Sequence, residues 1–173
     1  THGDVSGGNI LVDEDWRPSL IDFGLAAAPG GKSRGGTPAT MAPELFEGSR
    51  VTPQSDMYSL ACTILTSMLG RLPYVGPGTG ADRDSSPSFL TTAEEQQWGA
   101  EGSALIRVLF NGLASDPKDR PATCHDFAAQ IRAAAAPPAP RGGERTINPT
   151  VDFLRHLYRG SDVGNAGNRG LDD

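Results

Sequence analysis

The stretch QSDMYSLACTILTSMLG, residues 54–70, limits what this chain can fold into more than any other. Met57, Leu60, Ala61, Ile64, Leu65, Met68 and Leu69 recur at helical spacing, with Ser55 as a candidate cap and Gly70 as the closing residue. So wide an apolar face predicts a buried helix, which other elements have to cover. The helices available to cover it are amphipathic segments at 103–114 and 123–136, the latter with Thr123 as a candidate cap, and a shorter one at 90–98. Hydrophobic residues are only 37% of the 173, enough for a modest core, and 22 Gly with 14 Pro make the chain rich in loops.

Upstream of that helix, Ile10-Leu11-Val12 and Ser19-Leu20-Ile21 are short strand candidates. Asp13-Glu14-Asp15 and Pro18 lie between them, which predicts a hairpin. Residues 26–40 (AAAPGGKSRGGTPAT) and 75–88 (VGPGTGADRDSSPS) read as loops. Gly76-Pro77-Gly78-Thr79-Gly80 follows a helix, has no strand flanks and contains Pro, so it reads as loop and not as a phosphate cradle. PPAPRGG at 137–143 has linker composition. Beyond it, Val151, Leu154, Leu157 and Tyr158 would share one face of a short helix after Pro149, and the Gly- and Asn-rich end reads as disordered.

The net charge of −6 argues against nucleic-acid binding, which favours a basic surface. No apolar run approaches the roughly 18 residues of a membrane span. Cys62 and Cys124 lack metal-ligand spacing and read as reduced thiols of a cytoplasmic protein.

The chemistry is concentrated at the start of the chain, in THGDVSGGNILVDEDWRPSLIDFG. His2-x-Asp4 with Asn9 is a moderately specific pattern alone, and Asp22-Phe23-Gly24 is a weak one, since Asp beside Gly is common turn chemistry. Together they gain meaning, because a hairpin folds its two ends back on each other. Asp4, Asn9 and Asp22 could then converge as two carboxylates and an amide, hard oxygen donors suited to Mg²⁺ and a nucleotide.

This arrangement resembles the catalytic core of the eukaryotic-type serine/threonine protein kinases, in their bacterial-like form, from the catalytic loop onward. The resemblance continues in order. Gly36-Thr37-Pro38-Ala39-Thr40-Met41-Ala42-Pro43-Glu44 looks like the peptide-docking loop and its Ala-Pro-Glu ending. Ser55-Asp56-Met57-Tyr58-Ser59-Leu60 looks like the start of the central C-lobe helix, and Gly70-Arg71-Leu72-Pro73-Tyr74 like the turn that ends it. Asp116-Pro117-Lys118-Asp119-Arg120-Pro121 looks like the segment bearing the arginine that pairs with the Ala-Pro-Glu glutamate.

What the resemblance implies is an α+β, mainly helical C-lobe with a short β-hairpin over residues 1–136, a Pro/Gly-rich linker over 137–148, and a short helix with a disordered tail over 149–173. Its activity would be transfer of the ATP γ-phosphate to a protein hydroxyl, with ATP and Mg²⁺ as cofactors and a protein as substrate. Asp4 would be the catalytic aspartate, and Thr37 would contact it. Asn9 and Asp22 would hold Mg²⁺, and Ser6 would face the nucleotide. His2 would support the loop, Asp56 would reach the backbone amides of the catalytic loop, and Glu44 would pair with Arg120.

The chain departs from the pattern at Gly3, where arginine is usual, at Ser6, where lysine is usual, and at Thr40, where tyrosine is usual. Without an arginine at position 3 to read a phosphate, Ser33 and Thr37 are not assumed to be switch phosphosites. A Gly-rich strand loop and a strand lysine do not precede Thr1, so the expectation is an N-lobe supplied by missing sequence or another chain, and no measurable activity of these residues alone. The alternatives are a pseudokinase-like binding module and a small-molecule phosphotransferase of the aminoglycoside/choline type.

Overall fold

The computed structural model describes residues 1–26, 31, 35–74 and 90–135. In chain order the elements are β1 (Ile10–Val12), β2 (Pro18–Leu20), α1 (Pro43–Phe46), α2 (Pro53–Leu69), α3 (Thr92–Asn111) and α4 (Cys124–Ala135). Single 3₁₀ turns lie at Gly7–Asn9, Phe23–Leu25 and Pro117–Asp119. The expected loop at 75–88, most of the 26–34 stretch, the linker and the 149–173 segment lie outside the described residues.

Helix α2 is the centre of the core. Met57, Tyr58, Ala61, Cys62 and Leu65 on it are almost fully buried, against Leu105, Ile106 and Leu109 of α3 and Phe127 and Ile131 of α4. Burying side chains of this size contributes about 1.5–3 kcal/mol each for the larger ones. The helix starts earlier than predicted. Its cap is Thr52, not Ser55: Thr52 Oγ1 accepts the Ser55 amide at 3.2 Å, and Ser55 Oγ accepts the Thr52 amide at 2.9 Å. Pro53 makes this possible, since the first helical position needs no N–H and favours the φ that proline fixes. At the other end the Gly70 amide donates to Thr66 O at 2.9 Å.

The helices predicted at 90–98 and 103–114 are two halves of α3. They are continuous except at Gly99, which takes φ 63° and ψ −174° and kinks the element. Thr91 and Glu94 cap its start reciprocally. Thr123 Oγ1 likewise accepts the Asp126 amide at 3.0 Å at the start of α4. Among the described residues no helix is long and apolar enough to cross a membrane.

The hairpin pairs Ile10 with Leu20, Leu11 with Ser19 and Val12 with Pro18. Its second strand is therefore 18–20, one residue earlier than predicted. Proline is tolerated there because it opens an edge strand. Asp13 shapes the turn, its Oδ1 accepting the amides of Asp15 and Arg17 at 3.0 and 2.8 Å. Past the strand, the Ile21 amide donates to Asn9 O at 2.9 Å.

Two ion pairs tie the helices and loops together. The Arg120 guanidinium, fully buried, meets Glu44 in a bidentate pair with both N–O distances at 2.8 Å. Arg71 meets Glu94 with N–O distances of 2.8 and 3.0 Å, joining the end of α2 to the start of α3. The hydrogen bond from Arg71 holds the Glu94 carboxyl down to about 2, helped by the Thr91 amide and opposed by burial.

Two tests follow from these pairs. Arg120→Ala leaves Glu44 without its partner and is expected to lower the unfolding free energy by roughly 3–5 kcal/mol, read from urea midpoints. A loss no larger than that of exposed Arg17→Ala would show that the pair does not hold the fold. For Glu94 the folded-state value lies below the ordinary 4.5, so its contribution is present above pH 4.5 and is lost as pH falls toward 2. The gap in urea midpoint between the wild type and Arg71→Met should therefore be full at pH 5 and shrink steadily between pH 4.5 and 2. A gap independent of pH would disprove this linkage.

Candidate active site

The first nine residues hang from the start of α2. Asp56, in its first turn, accepts the His2 amide on Oδ2 at 2.7 Å and the Gly3 amide on Oδ1 at 2.8 Å. A carboxylate that takes two main-chain N–H groups fixes the path of the loop more firmly than one neutral bond would.

His2, 5% exposed, uses both ring nitrogens locally. Its Nε2 donates to Ile21 O at 3.0 Å and its Nδ1 accepts the Asp4 amide at 3.3 Å. Those two bonds require a neutral ring with its proton on Nε2. The Phe23 ring packs edge-on to it at 4.8 Å. His2 thus links the loop to the end of the hairpin, and neither nitrogen is left over to move a proton.

The Asp4 carboxylate is held from two sides. Thr37 donates its main-chain amide to Oδ1 at 2.7 Å, across 33 residues of sequence. Asn9 Nδ2 donates to Oδ2 at 3.1 Å and to Asp4 O at 2.9 Å. With Nδ2 so engaged, the carbonyl oxygen Oδ1 is the Asn9 side-chain atom left to accept or coordinate. Ser6 is 6% exposed, and its carbonyl accepts the Asn9 amide at 3.0 Å.

Asp22 stands on the other arm of the hairpin, one residue past Ile21, whose amide bonds Asn9 O. It is exposed and takes φ 60°, ψ 72°, with Oδ1 accepting the Gly24 amide at 3.1 Å. A left-handed residue other than glycine is uncommon and clusters at functional sites. Asn9 Oδ1 and the Asp22 carboxylate are hard oxygen donors at the converging ends of one hairpin. That set fits Mg²⁺, which takes one or two protein oxygens and fills its other positions with water and phosphate. Among the described residues no cluster of three or more His, Cys, Asp or Glu suits a metal held by protein alone.

The segment from Gly36 to Glu44 is anchored at several points that the sequence does not announce. Tyr74 donates its hydroxyl to Ala39 O at 3.0 Å, and Thr40 Oγ1 lies 3.3 Å from Val5 O. Thr63 of α2 reaches the same Val5 carbonyl at 3.4 Å. Glu44, paired with Arg120, closes the segment. Both side chains meet main-chain carbonyls, which no residue type signals in the sequence. A groove of about 370 Å³ opens between the hairpin, α2 and α4, lined mostly by apolar side chains such as Leu60, Phe127 and Ile131. Asp4, Asn9 and Asp22 do not line it.

Residues 1–131 match the protein kinase domain family. The serine/threonine-protein kinase PknK of Mycobacterium tuberculosis is 34% identical over 142 residues, which cover 76% of this chain and 12% of PknK. The serine/threonine-protein kinases PknE and PknD of the same species are also 34% identical, over 79% and 74% of this chain and 25% and 20% of their own lengths. The chain thus spans a quarter or less of the length of these relatives. The order of its motifs and the match over residues 1–131 agree: the chain belongs to the protein kinase domain family, and the relatives it resembles are bacterial serine/threonine-protein kinases.

Proposed function

We propose that these residues supply the catalytic loop, metal-binding pair and peptide-docking loop of a kinase that transfers the ATP γ-phosphate to a serine or threonine hydroxyl of a protein. The observation that carries this reading is the 2.7 Å bond from the Thr37 amide to Asp4 Oδ1. It joins the loop that would bear the base to the loop that would dock the peptide.

Asp4 would accept the proton of the substrate hydroxyl. Each of its oxygens takes one N–H here and keeps a further lone pair for that contact. Asn9 Oδ1 and the Asp22 carboxylate would hold Mg²⁺, which when bound neutralises charge on the phosphates. Ser6 would offer a neutral hydrogen bond toward the nucleotide in place of a lysine, at a cost in charge stabilisation.

The docking loop, fixed by Tyr74, Thr40 and Glu44, favours a protein substrate over a small molecule. A non-catalytic binding lobe is the second reading, and the missing charge at Ser6 is what favours it. We assign the described residues to the C-terminal lobe of the catalytic domain. In support, Leu11, Trp16 and Phe23, on and just after the hairpin, are 55%, 52% and 61% exposed, large apolar side chains suited to contact with the rest of such a domain. Both cysteines are free thiols, which fits a cytoplasmic setting.

The test uses the full-length protein that contains this chain, labelled ATP and a generic protein substrate. Asp4→Asn is expected to slow labelling of the protein by roughly 10²–10⁴-fold, and Asp22→Asn to reduce it to background. Labelling that survives Asp4→Asn would remove Asp4 as the base, and label found only on small hydroxyl compounds would favour the phosphotransferase reading. The 173 residues alone are expected to transfer none. Asp22-dependent ATP hydrolysis by them would overturn the single-lobe assignment.

A further inference from the structure

Two glycines bring the main chain of the docking segment against the catalytic loop. At Gly36 (φ 136°) an added Cβ would lie 3.2 Å from Gly3 O, 3.2 Å from Met41 Cε and 3.5 Å from Asp4 Oδ1. The next residue is Thr37, whose amide bonds that same Oδ1. At Gly3 (φ 85°) an added Cβ would lie 2.9 Å from Leu25 O, just past Asp22-Phe23-Gly24. The chain therefore touches Gly3 and Asp4 from both directions, before and after the intervening loop, and each approach is one that a methyl group would obstruct.

We infer that Gly36 is a positioning residue: its bare α-carbon lets the docking segment lie on Gly3 O, and that seat delivers the Thr37 amide to Asp4. The inference rests on the reading of Asp4 as the base. The neighbouring Gly35 provides the control. It also has positive φ (125°), yet among the described residues a Cβ there meets no atom within 4 Å. Gly35→Ala introduces an L side chain in an unfavourable conformation without the contact, and Gly36→Ala introduces both. Gly3 O is backbone and cannot swing aside as Met41 Cε can, so a side chain at 36 requires the two main-chain segments to move apart by a few tenths of an ångström, on top of the strain of a positive φ.

Amide hydrogen exchange on the 173-residue chain reads this directly, with the amides of α2 as the internal check on folding. Thr37 N–H is expected to be protected in the wild type and in Gly35→Ala, and to lose at least tenfold in protection in Gly36→Ala while α2 stays protected. Unchanged protection in Gly36→Ala, or equal loss in both variants, overturns the inference. If α2 also loses protection in Gly36→Ala, the decision passes to Gly36→Ala combined with Met41→Ala, which relieves the flexible contact and leaves the one with Gly3 O. Recovered Thr37 protection in the double variant overturns the inference, and its selective loss there supports it. In the full-length kinase, Gly36→Ala is expected to reduce kcat by roughly 10²-fold with a smaller change in KM, as for a misplaced catalytic group. An effect on KM alone counts against the positioning role. Exchange does not depend on phosphoryl transfer, so a failed assignment of Asp4 as base shows in Asp4→Asn activity, and a failed seat shows in Thr37 exchange.

Discussion

The Arg120 guanidinium is the interaction on which most of this architecture depends. Its five N–H donors are all used: two on Glu44, and one each on the carbonyls of Gln54, Ala114 and Ser115. The Tyr58 ring lies 4.9 Å beneath it. An arginine cannot escape burial by losing its proton, so the surroundings have to be built to receive the charge. Here that requirement fixes four places at once: the end of the Gly36–Glu44 segment at α1, the first turn of α2, and the two carbonyls that follow α3. Each of those backbone segments would otherwise need its own anchor.

From that anchor, α2 carries position to the site. Its buried face makes the core with α3 and α4, while its polar residues on the opposite side hold the loops. Asp56 takes the amides of His2 and Gly3, and Thr63 reaches Val5 O. Asp4 is thus set by a rigid helix through three intervening bonds, not by its own contacts with solvent. Asp22 is different in kind. It is exposed, left-handed and bonded to the Gly24 amide two residues on, so its direction is decided within its own turn.

The sequence made some of this legible and not the rest, for physical reasons. Helix α2 could be read because periodic burial leaves a periodic pattern, and the hairpin could be read because Asp13 and Pro18 mark its turn. The order His2, Asp4, Asn9, Asp22 along that hairpin was enough to suggest convergence. Boundaries were harder. The start of α2 depends on which of two hydroxyls, three residues apart, takes the capping position, and Pro53 decides it in favour of Thr52. The kink in α3 depends on the backbone of Gly99, which a helical pattern on both sides conceals. Contacts made by main-chain atoms leave no mark in side-chain identity. The bond from Thr37 to Asp4 uses an amide that every residue except proline carries.

The same limit explains why the sequence shows Gly3 only as a loss. Gly3 stands where an arginine would bring charge, and judged by charge alone it takes something away. Judged by space it brings something an arginine could not, because a Cβ at that position meets Leu25 O at 2.9 Å. A charged latch acts over several ångströms and weakens with salt, whereas steric seating acts only at contact and is indifferent to ionic strength. A site closed by backbone seating gives up the long-range attraction that could gather its parts from a distance. It depends instead on the helix beneath to bring them within contact range, and the Asp56 carboxylate does this by holding the amides of His2 and Gly3 directly beside the seat.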